Sequence, residues 1–367
     1  MIYLDHAATS LYKPPEVIKA VASAMETLGN PGRGYNAPAL QAGTCVYNGR
    51  KALGEFFKIA PSQVVFTASA TESLNIAISG LIKPGQHVIT TVLEHNSVLR
   101  PLYKSGAKLS FVGLTPQGQL DYTAFEKLRT PDTTAVAITH GANLTGLVVD
   151  LPIVADFCHR HGLLLIVDAA QTAGLLPIDI TALGIHALCF TGHKSLLGPQ
   201  GIGGLCLNGV AIAPGKVGGT GTHSFEKHHP THMPDCLEAG TLNTPGIAGL
   251  TAGIAYVNKT GTKAAFDLAN AFYTKVAQIP QVKLYSTIGN LPVVALNIGD
   301  MDSTTVEYIL AENYGIAVRG GTHCAPLLHE ALGTATQGIV RFSFSTFNTT
   351  AHVTAAVKAI GEIAHDH

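Results

Sequence analysis

Leu163-Leu164-Leu165-Ile166-Val167-Asp168 is a short apolar run closed by a carboxylate, and Ala187-Leu188-Cys189-Phe190-Thr191-Gly192-His193-Lys194 is a second run closed by an amine. Runs of this length and composition predict strands buried on both faces, as in parallel sheets covered by helices. The pattern continues on either side. Residues 64–67, 87–92, 108–113 and 134–139 read as further strands, and 71–81, 96–104, 121–128 and 151–161 read as helices with polar or proline starts. Residues 202–207 read as a seventh strand, and the link from Lys194 is too short for a helical crossover, which points to an antiparallel setting. From about residue 14 to 207 the alternation is that of an α/β fold with a mainly parallel seven-stranded sheet between helices.

After Gly246 a helix-rich stretch leads to a second alternating unit, with strands near 293–298, 316–319 and 339–345 and helices at 303–313 and 350–364. In the last helix Val353, Ala356, Val357, Ile360 and Ile363 recur at helical spacing, an apolar stripe for packing. The boundary between the two units is soft, around residues 246–262.

The 367 residues suffice for two domains, and only 13% are charged while 46% are hydrophobic. Average soluble domains carry about 25% charge, so part of the surface is expected to be buried against another subunit. A formal net charge of −1 provides no extended field for nucleic acid or an anionic membrane. The start, Met1-Ile2-Tyr3-Leu4-Asp5-His6, lacks the pattern of a signal peptide, and no apolar run reaches membrane-spanning length. A cytoplasmic protein is expected. The cysteines Cys45, Cys158, Cys189, Cys206, Cys236 and Cys324 form no C-x-x-C pair, so no zinc site and no redox dithiol are expected. His223, His228, His229 and His232 crowd one loop with Glu226, Asp235 and Cys236, but without a recognised ligand spacing they read as a solvated loop.

In an open parallel sheet, ligands sit beyond the carboxyl ends of the strands. Asp168 and Lys194 both stand at such ends. A carboxylate and a lysine so placed suit pyridoxal phosphate, the lysine forming the Schiff base and the carboxylate keeping the pyridinium nitrogen protonated. A structural salt bridge is the competing reading of the same two residues.

Other residues gather at the same edge of the expected sheet. Ser69-Ala70-Thr71-Glu72-Ser73 opens a helix, which makes either an anion site for a phosphate or an ordinary N-cap. His95 follows one strand end, where an imidazole can stack on a flat ring or serve as a cap. Asn143 and Gln171 follow two more, as amides able to bond a cofactor or substrate or to form turns. Arg319-Gly320-Gly321-Thr322-His323-Cys324-Ala325 places a cysteine in a glycine-flexible loop with an arginine and a histidine nearby, where a thiolate can be stabilised. Arg341 lies mid-strand and needs an anionic partner, which a substrate carboxylate would supply.

Together these residues resemble the fold-type I pyridoxal phosphate enzymes of the class V aminotransferase group, and within it the cysteine desulfurases and selenocysteine lyases with a short cysteine loop. The resemblance runs from Tyr3-Leu4-Asp5-His6-Ala7-Ala8-Thr9 through Val167-Asp168-Ala169-Ala170-Gln171 and Thr191-Gly192-His193-Lys194 to Glu238-Ala239-Gly240-Thr241 and the Cys324 loop. It implies a large cofactor-binding domain over residues 14–250 and a smaller α+β domain made of 1–13 and 251–367.

By that resemblance Lys194 carries the cofactor, Asp168 pairs with the ring nitrogen and His95 stacks on the ring. Gln171 and Asn143 match positions near the ring oxygen. Thr71, Thr191 and His193 match phosphate ligands. Ala70 occupies a cradle position where many members have a hydroxyl residue. Arg341 matches the residue that grips the amino-acid carboxylate, with Arg319 bordering the pocket. Thr241 matches a residue that reaches the phosphate across a dimer interface, which implies a homodimer. Cys324 matches the nucleophile that takes sulfur from L-cysteine as a persulfide, leaving L-alanine, for delivery to an acceptor protein as in iron–sulfur cluster assembly. The segment 218–236 is shorter than the hairpin of relatives. A selenocysteine lyase, an aminotransferase or epimerase on the same scaffold, and a cofactor-holding sulfur relay without catalysis are the alternatives.

Overall fold

The computed structural model describes residues 1–32, 34–221 and 225–366. Its first strand, β1 (Ile2–Tyr3), belongs to the far end of the chain. The next seven are β2 (Val64–Thr67), β3 (His87–Thr91), β4 (Lys108–Val112), β5 (Thr133–Thr139), β6 (Leu164–Asp168), β7 (Ala187–Thr191) and β8 (Gly203–Leu207), which form one sheet in the order β2-β8-β7-β6-β5-β3-β4. Pairings among β3 to β7 and β4 are parallel, while β8 runs antiparallel to both β2 and β7. β2, β6, β7 and β8 are apolar almost throughout because helices cover both faces. Strand order reverses between β3 and β5. This is the switch point at which open α/β sheets leave a crevice.

β8 fits between its neighbours through its glycines. A Cβ on Gly203 would stand 2.6 Å from the Phe190 carbonyl oxygen and 3.0 Å from Ser69 Cα, so only glycine lets the Ser69 turn and the end of β7 close on that strand. The short loop after Lys194 produces the antiparallel return, as the sequence predicts.

The remaining strands, β9 (Val282–Leu284), β10 (Val293–Ile298), β11 (Ile316–Ala317) and β12 (Val340–Ser343), form an antiparallel trio β12-β10-β9 and a parallel pair β1-β11. Their core unites Leu4, Phe272, Leu296, Phe342 and Ile360. The stripe Val353, Ala356, Ile360 and Ile363 of the helix Thr350–Asp366 is buried in it. The helix Thr244–Thr260 runs unbroken through the expected boundary and packs on the helices Pro15–Thr27 and Ala37–Phe57. The helix expected over 121–128 is shorter, Ala124–Leu128, because Asp121 Oδ1 accepts from Thr123 N–H and from its hydroxyl, closing a turn instead. Among the described residues no helix is long and apolar enough to cross a membrane.

Candidate active site

The carboxyl ends of five strands open on one cavity, whose walls include Lys194, His95, Asp168, Asn143, Gln171 and His193. Ala70, Thr71 and Thr191 line the same space. Nine of the residues singled out from the sequence therefore meet there.

Asp168 ends β6 almost fully buried, with its Oδ1 accepting from Ala170 N–H at 2.9 Å. Burial raises its pKa against the opposing pull of that N–H and of Lys194. Lys194 is also desolvated, and burial lowers its pKa to about 8 although Asp168 pulls the other way. Among the described residues no ion pair or hydrogen bond joins the two. A structural salt bridge is thus not what holds this pair; both groups face a shared space between them.

Behind Asp168 lies Glu94, fully buried, with Oε1 accepting from the Thr91 hydroxyl at 2.6 Å and Oε2 unpartnered. Burial, reinforced by Asp168, holds its pKa well above the usual carboxylate range. Burial and the nearby carboxylate both favour the neutral form of this acid. In the sequence its signal is masked by its neighbour His95, which carries the recognisable pattern.

His95 is the N-cap of the helix Asn96–Ser105: its Nδ1 accepts from Ser97 N–H at 3.0 Å. The cap fixes the ring and leaves Nε2 to carry the proton. Burial and the cations Lys194, Arg319, Arg341 and Arg100 lower its pKa to about 4, so the imidazole is neutral at physiological pH. Ser97 also meets the Thr71 hydroxyl at 2.8 Å, which ties His95 to the opening of the helix Ala70–Leu81. There the Ser69 hydroxyl accepts from Glu72 N–H at 3.3 Å. The amides of Ala70 and Thr71 remain without a partner among the described residues, a ready anion cradle. Cap and cradle coexist.

One backbone carbonyl next to Lys194 is held unusually firmly. His193 O accepts from Ser10 N–H at 3.0 Å, from Lys13 Nζ at 3.0 Å and from the Thr9 hydroxyl at 3.4 Å. His193 Nδ1 lies 2.9 Å from the same Thr9 hydroxyl. Gln171 Nε2 donates to Ala7 O at 3.0 Å. Residues 5–13 therefore strap the Lys194 loop in place, a role without a local sequence signal because its contacts are far away in the chain.

Cys324 is exposed, on a loop where His323 and Cys324 both take left-handed backbone, φ 49° and 56°. Two bonds tie this loop to the cavity: Asn96 N–H donates to Cys324 O at 2.8 Å, and Asn143 Nδ2 to His323 O at 2.7 Å. The expectation that His323 helps stabilise the thiolate is not met. Its ring is buried with Nε2 donating to Ile339 O at 2.9 Å, and burial lowers its pKa to about 3, so it anchors the loop as a neutral donor.

Arg341, 1% exposed, does have an anionic partner, but one within the chain: Nη2 donates to Asp5 Oδ1 at 2.7 Å and Nη1 to Asn143 O at 2.9 Å. Arg319 joins it backbone to backbone. Thr241 stands apart, lining a different cavity with Arg50 and Glu238. His232 pairs with Asp235 at 2.9 Å, His223 lies outside the described residues, and among the described residues no three metal-ligating side chains converge.

Two further atoms test whether a flat, phosphorylated pyridine would fit. Thr191 Oγ1 and Asn143 Oδ1 are buried without partners in the walls of this cavity. With the cradle amides, the Asp168 carboxylate and the Lys194 amine, they offer a phosphate end, a ring-nitrogen partner and an aldehyde-binding amine. The residues fit the group.

A family model described as aminotransferase class V matches residues 2–355. A probable cysteine desulfurase of Methanothermobacter thermautotrophicus is 32% identical over 379 residues, covering 99% of this chain and 94% of its own. A cysteine desulfurase of Salmonella agona is 32% identical over 384 residues, covering 99% and 93%. The fold superposes on the Escherichia coli cysteine desulfurase CsdA with a TM-score of 0.89 at 30% identity, over 99% of this chain and 94% of that one. A cysteine desulfurase of Thermococcus onnurineus gives 0.90 at 29% identity, over 100% and 95%.

Proposed function

This chain belongs to the class V aminotransferase family, in its cysteine desulfurase branch, and from that premise we propose that it converts L-cysteine to L-alanine and keeps the sulfur as a persulfide on Cys324. The family is pyridoxal phosphate-dependent, and that group, when bound, supplies the electron sink that makes the substrate's α-proton acidic. Lys194 would bind its aldehyde, Asp168 its ring nitrogen, and the cradle at Ala70 and Thr71, with Thr191 and His193, its phosphate. Neutral His95 would lie against the ring, with Gln171 and Asn143 near its oxygen.

Arg341 and Asn143 orient the substrate, with Arg319 at the rim. Lys194, lowered to about pKa 8, moves a proton at the α-carbon near neutral pH. Cys324 Sγ, as thiolate, attacks the substrate sulfur; the C–S bond breaks, its electron pair returns to the substrate carbon skeleton, and protonation there completes alanine. Cysteine plus enzyme thiol becomes alanine plus enzyme persulfide, with no oxidant needed. An acceptor protein or thiol then removes the outer sulfur.

One observation carries this reading: the only exposed cysteine among the described residues sits on a loop bonded to two walls of the Lys194 cavity. The test is to incubate purified protein with cysteine, assay alanine and map the persulfide by mass spectrometry. Alanine accumulating while Cys324 stays unmodified defeats the persulfide step.

A homodimer belongs to the same proposal. Exposed Ile18, Met25, Leu40 and Tyr47 line the first two helices, and Thr241 is turned away from its own chain's cavity, where Thr241 of the partner subunit would complete the phosphate site. A cytoplasmic setting follows from the same reading. So does the division of the chain into a larger unit and a smaller one of residues 1–13 and the C-terminal part, with the cut moved to Gly261, where the helix Thr244–Thr260 ends.

A further inference from the structure

We propose that Asp5 is a specificity-determining residue of the Arg341 subsite, occupying one edge of the guanidinium so that the subsite admits one substrate carboxylate and turns away loose anions. The proposal rests on the reading of Arg341 as the carboxylate ligand. Arg341 is the largest fully buried side chain among the described residues. Its Nη2 is committed to Asp5 Oδ1 and its Nη1 to the Asn143 carbonyl, while Nε is buried and unpartnered. A planar guanidinium presents its five N–H groups in forks that bind carboxylates two at a time. With Nη2 already holding Asp5, the unpartnered Nε–H and the spare Nη hydrogens remain for an incoming carboxylate.

Asp5 is not free to swing away. Its segment is paired with Ser343, Ala7 N–H donates to Ser343 Oγ at 2.8 Å, and the Tyr3 hydroxyl donates to Asp5 O at 3.0 Å. Among the described residues it is also the only carboxylate in direct contact with Arg341, while Arg319 and Lys194 add positive charge around it. Three cations that act on one another draw any small anion, and a fixed carboxylate offsets part of that field. What remains favours a ligand that is also held elsewhere in the site, as an amino acid is, over acetate or chloride, which have only the charge.

Asp5→Asn keeps the shape and a hydrogen-bond acceptor but removes the charge. Wild type, D5N, D5S and the charge-retaining D5E, all as holoenzyme, are compared for acetate affinity by calorimetry and by competition against cysteine at constant ionic strength. D5N and D5S are expected to bind acetate about ten-fold more tightly, the order for unmasking a charge-assisted contact, with D5E close to wild type. A residue that merely scaffolds Arg341 loosens anion binding when replaced, so unchanged or weakened acetate affinity in the charge-free variants overturns the proposal. The two ideas separate cleanly. Tighter acetate binding by a protein that does not turn over cysteine sinks the desulfurase reading alone, and cysteine turnover with unaltered acetate affinity sinks the Asp5 proposal alone.

Discussion

Replacing Lys194 by methionine is expected to stabilise the cofactor-free protein at neutral pH. Burial lowers the Lys194 amine from an ordinary 10.5 to about 8, even with Asp168 attracting it. At about 1.36 kcal/mol per unit, the folded state thus carries the ammonium at a cost of roughly 3 kcal/mol that the unfolded chain does not bear. Methionine is of similar length and uncharged. Below about pH 8 the lysine is protonated in both states and the whole cost is present. As pH rises toward 10.5 the folded amine is neutral while the unfolded one still binds a proton, so wild type gains stability; above that the cost is gone. The variant's advantage should therefore be about 3 kcal/mol near pH 7 and shrink to a packing difference by about pH 10.5. Urea denaturation of both proteins, stripped of cofactor, measures it; the difference cancels the titrating groups that do not sense Lys194, while Asp168, His95 and His193, which do, contribute through their coupling to it. A variant less stable at neutral pH, or an advantage constant with pH, refutes the reasoning.

Other expectations follow from the contacts. Glu238 accepts from Arg50 through both carboxylate oxygens and from Phe66 N–H at 2.6 Å, all buried; Glu238→Ala should cost about 3–5 kcal/mol by leaving the guanidinium unpaired, read from thermal or urea unfolding, with a cost under about 1 kcal/mol counting against it. Cys324→Ser should abolish alanine formation from cysteine while changing stability by less than about 0.5 kcal/mol, because the side chain is exposed; alanine assay and denaturation on one preparation decide it. Gly174 has φ 94°, and an added Cβ would lie 2.5 Å from Ser195 O; Gly174→Ala should destabilise by about 1–3 kcal/mol and displace the Lys194 loop, seen as weaker binding of added pyridoxal phosphate.

The strands, and with them Asp168, His95 and Lys194 at their ends, were readable because burial on both faces leaves a local record in composition. Strand edges agree within one or two residues: 163–167 reads for Leu164–Asp168 and 293–298 for Val293–Ile298. What was not readable depends on distant partners. Nothing near Arg341 announces Asp5, which meets it from 336 positions away. Adjacency in sequence suggests His323 as a partner for the thiolate, whereas adjacent left-handed residues send its ring inward. The strap from Thr9 to Lys13 is silent for the same reason. Thr241 lies outside its own chain's cavity, so only family resemblance, not local pattern, could connect it to the site.

The strap has a consequence for synthesis. β1 pairs with β11, Ser343 N–H donates to Leu4 O, and Asp5 meets Arg341, so residues 2–5 are made long before the segments that receive them. Contacts of such sequence separation form late, since a large loop must close before they contribute. The large sheet can assemble from β2 to β8 while the chain grows, but Arg341 and the strands β11 and β12 that receive residues 2–7 follow only afterwards. A nascent chain therefore cannot present a finished anion subsite beside a reactive lysine.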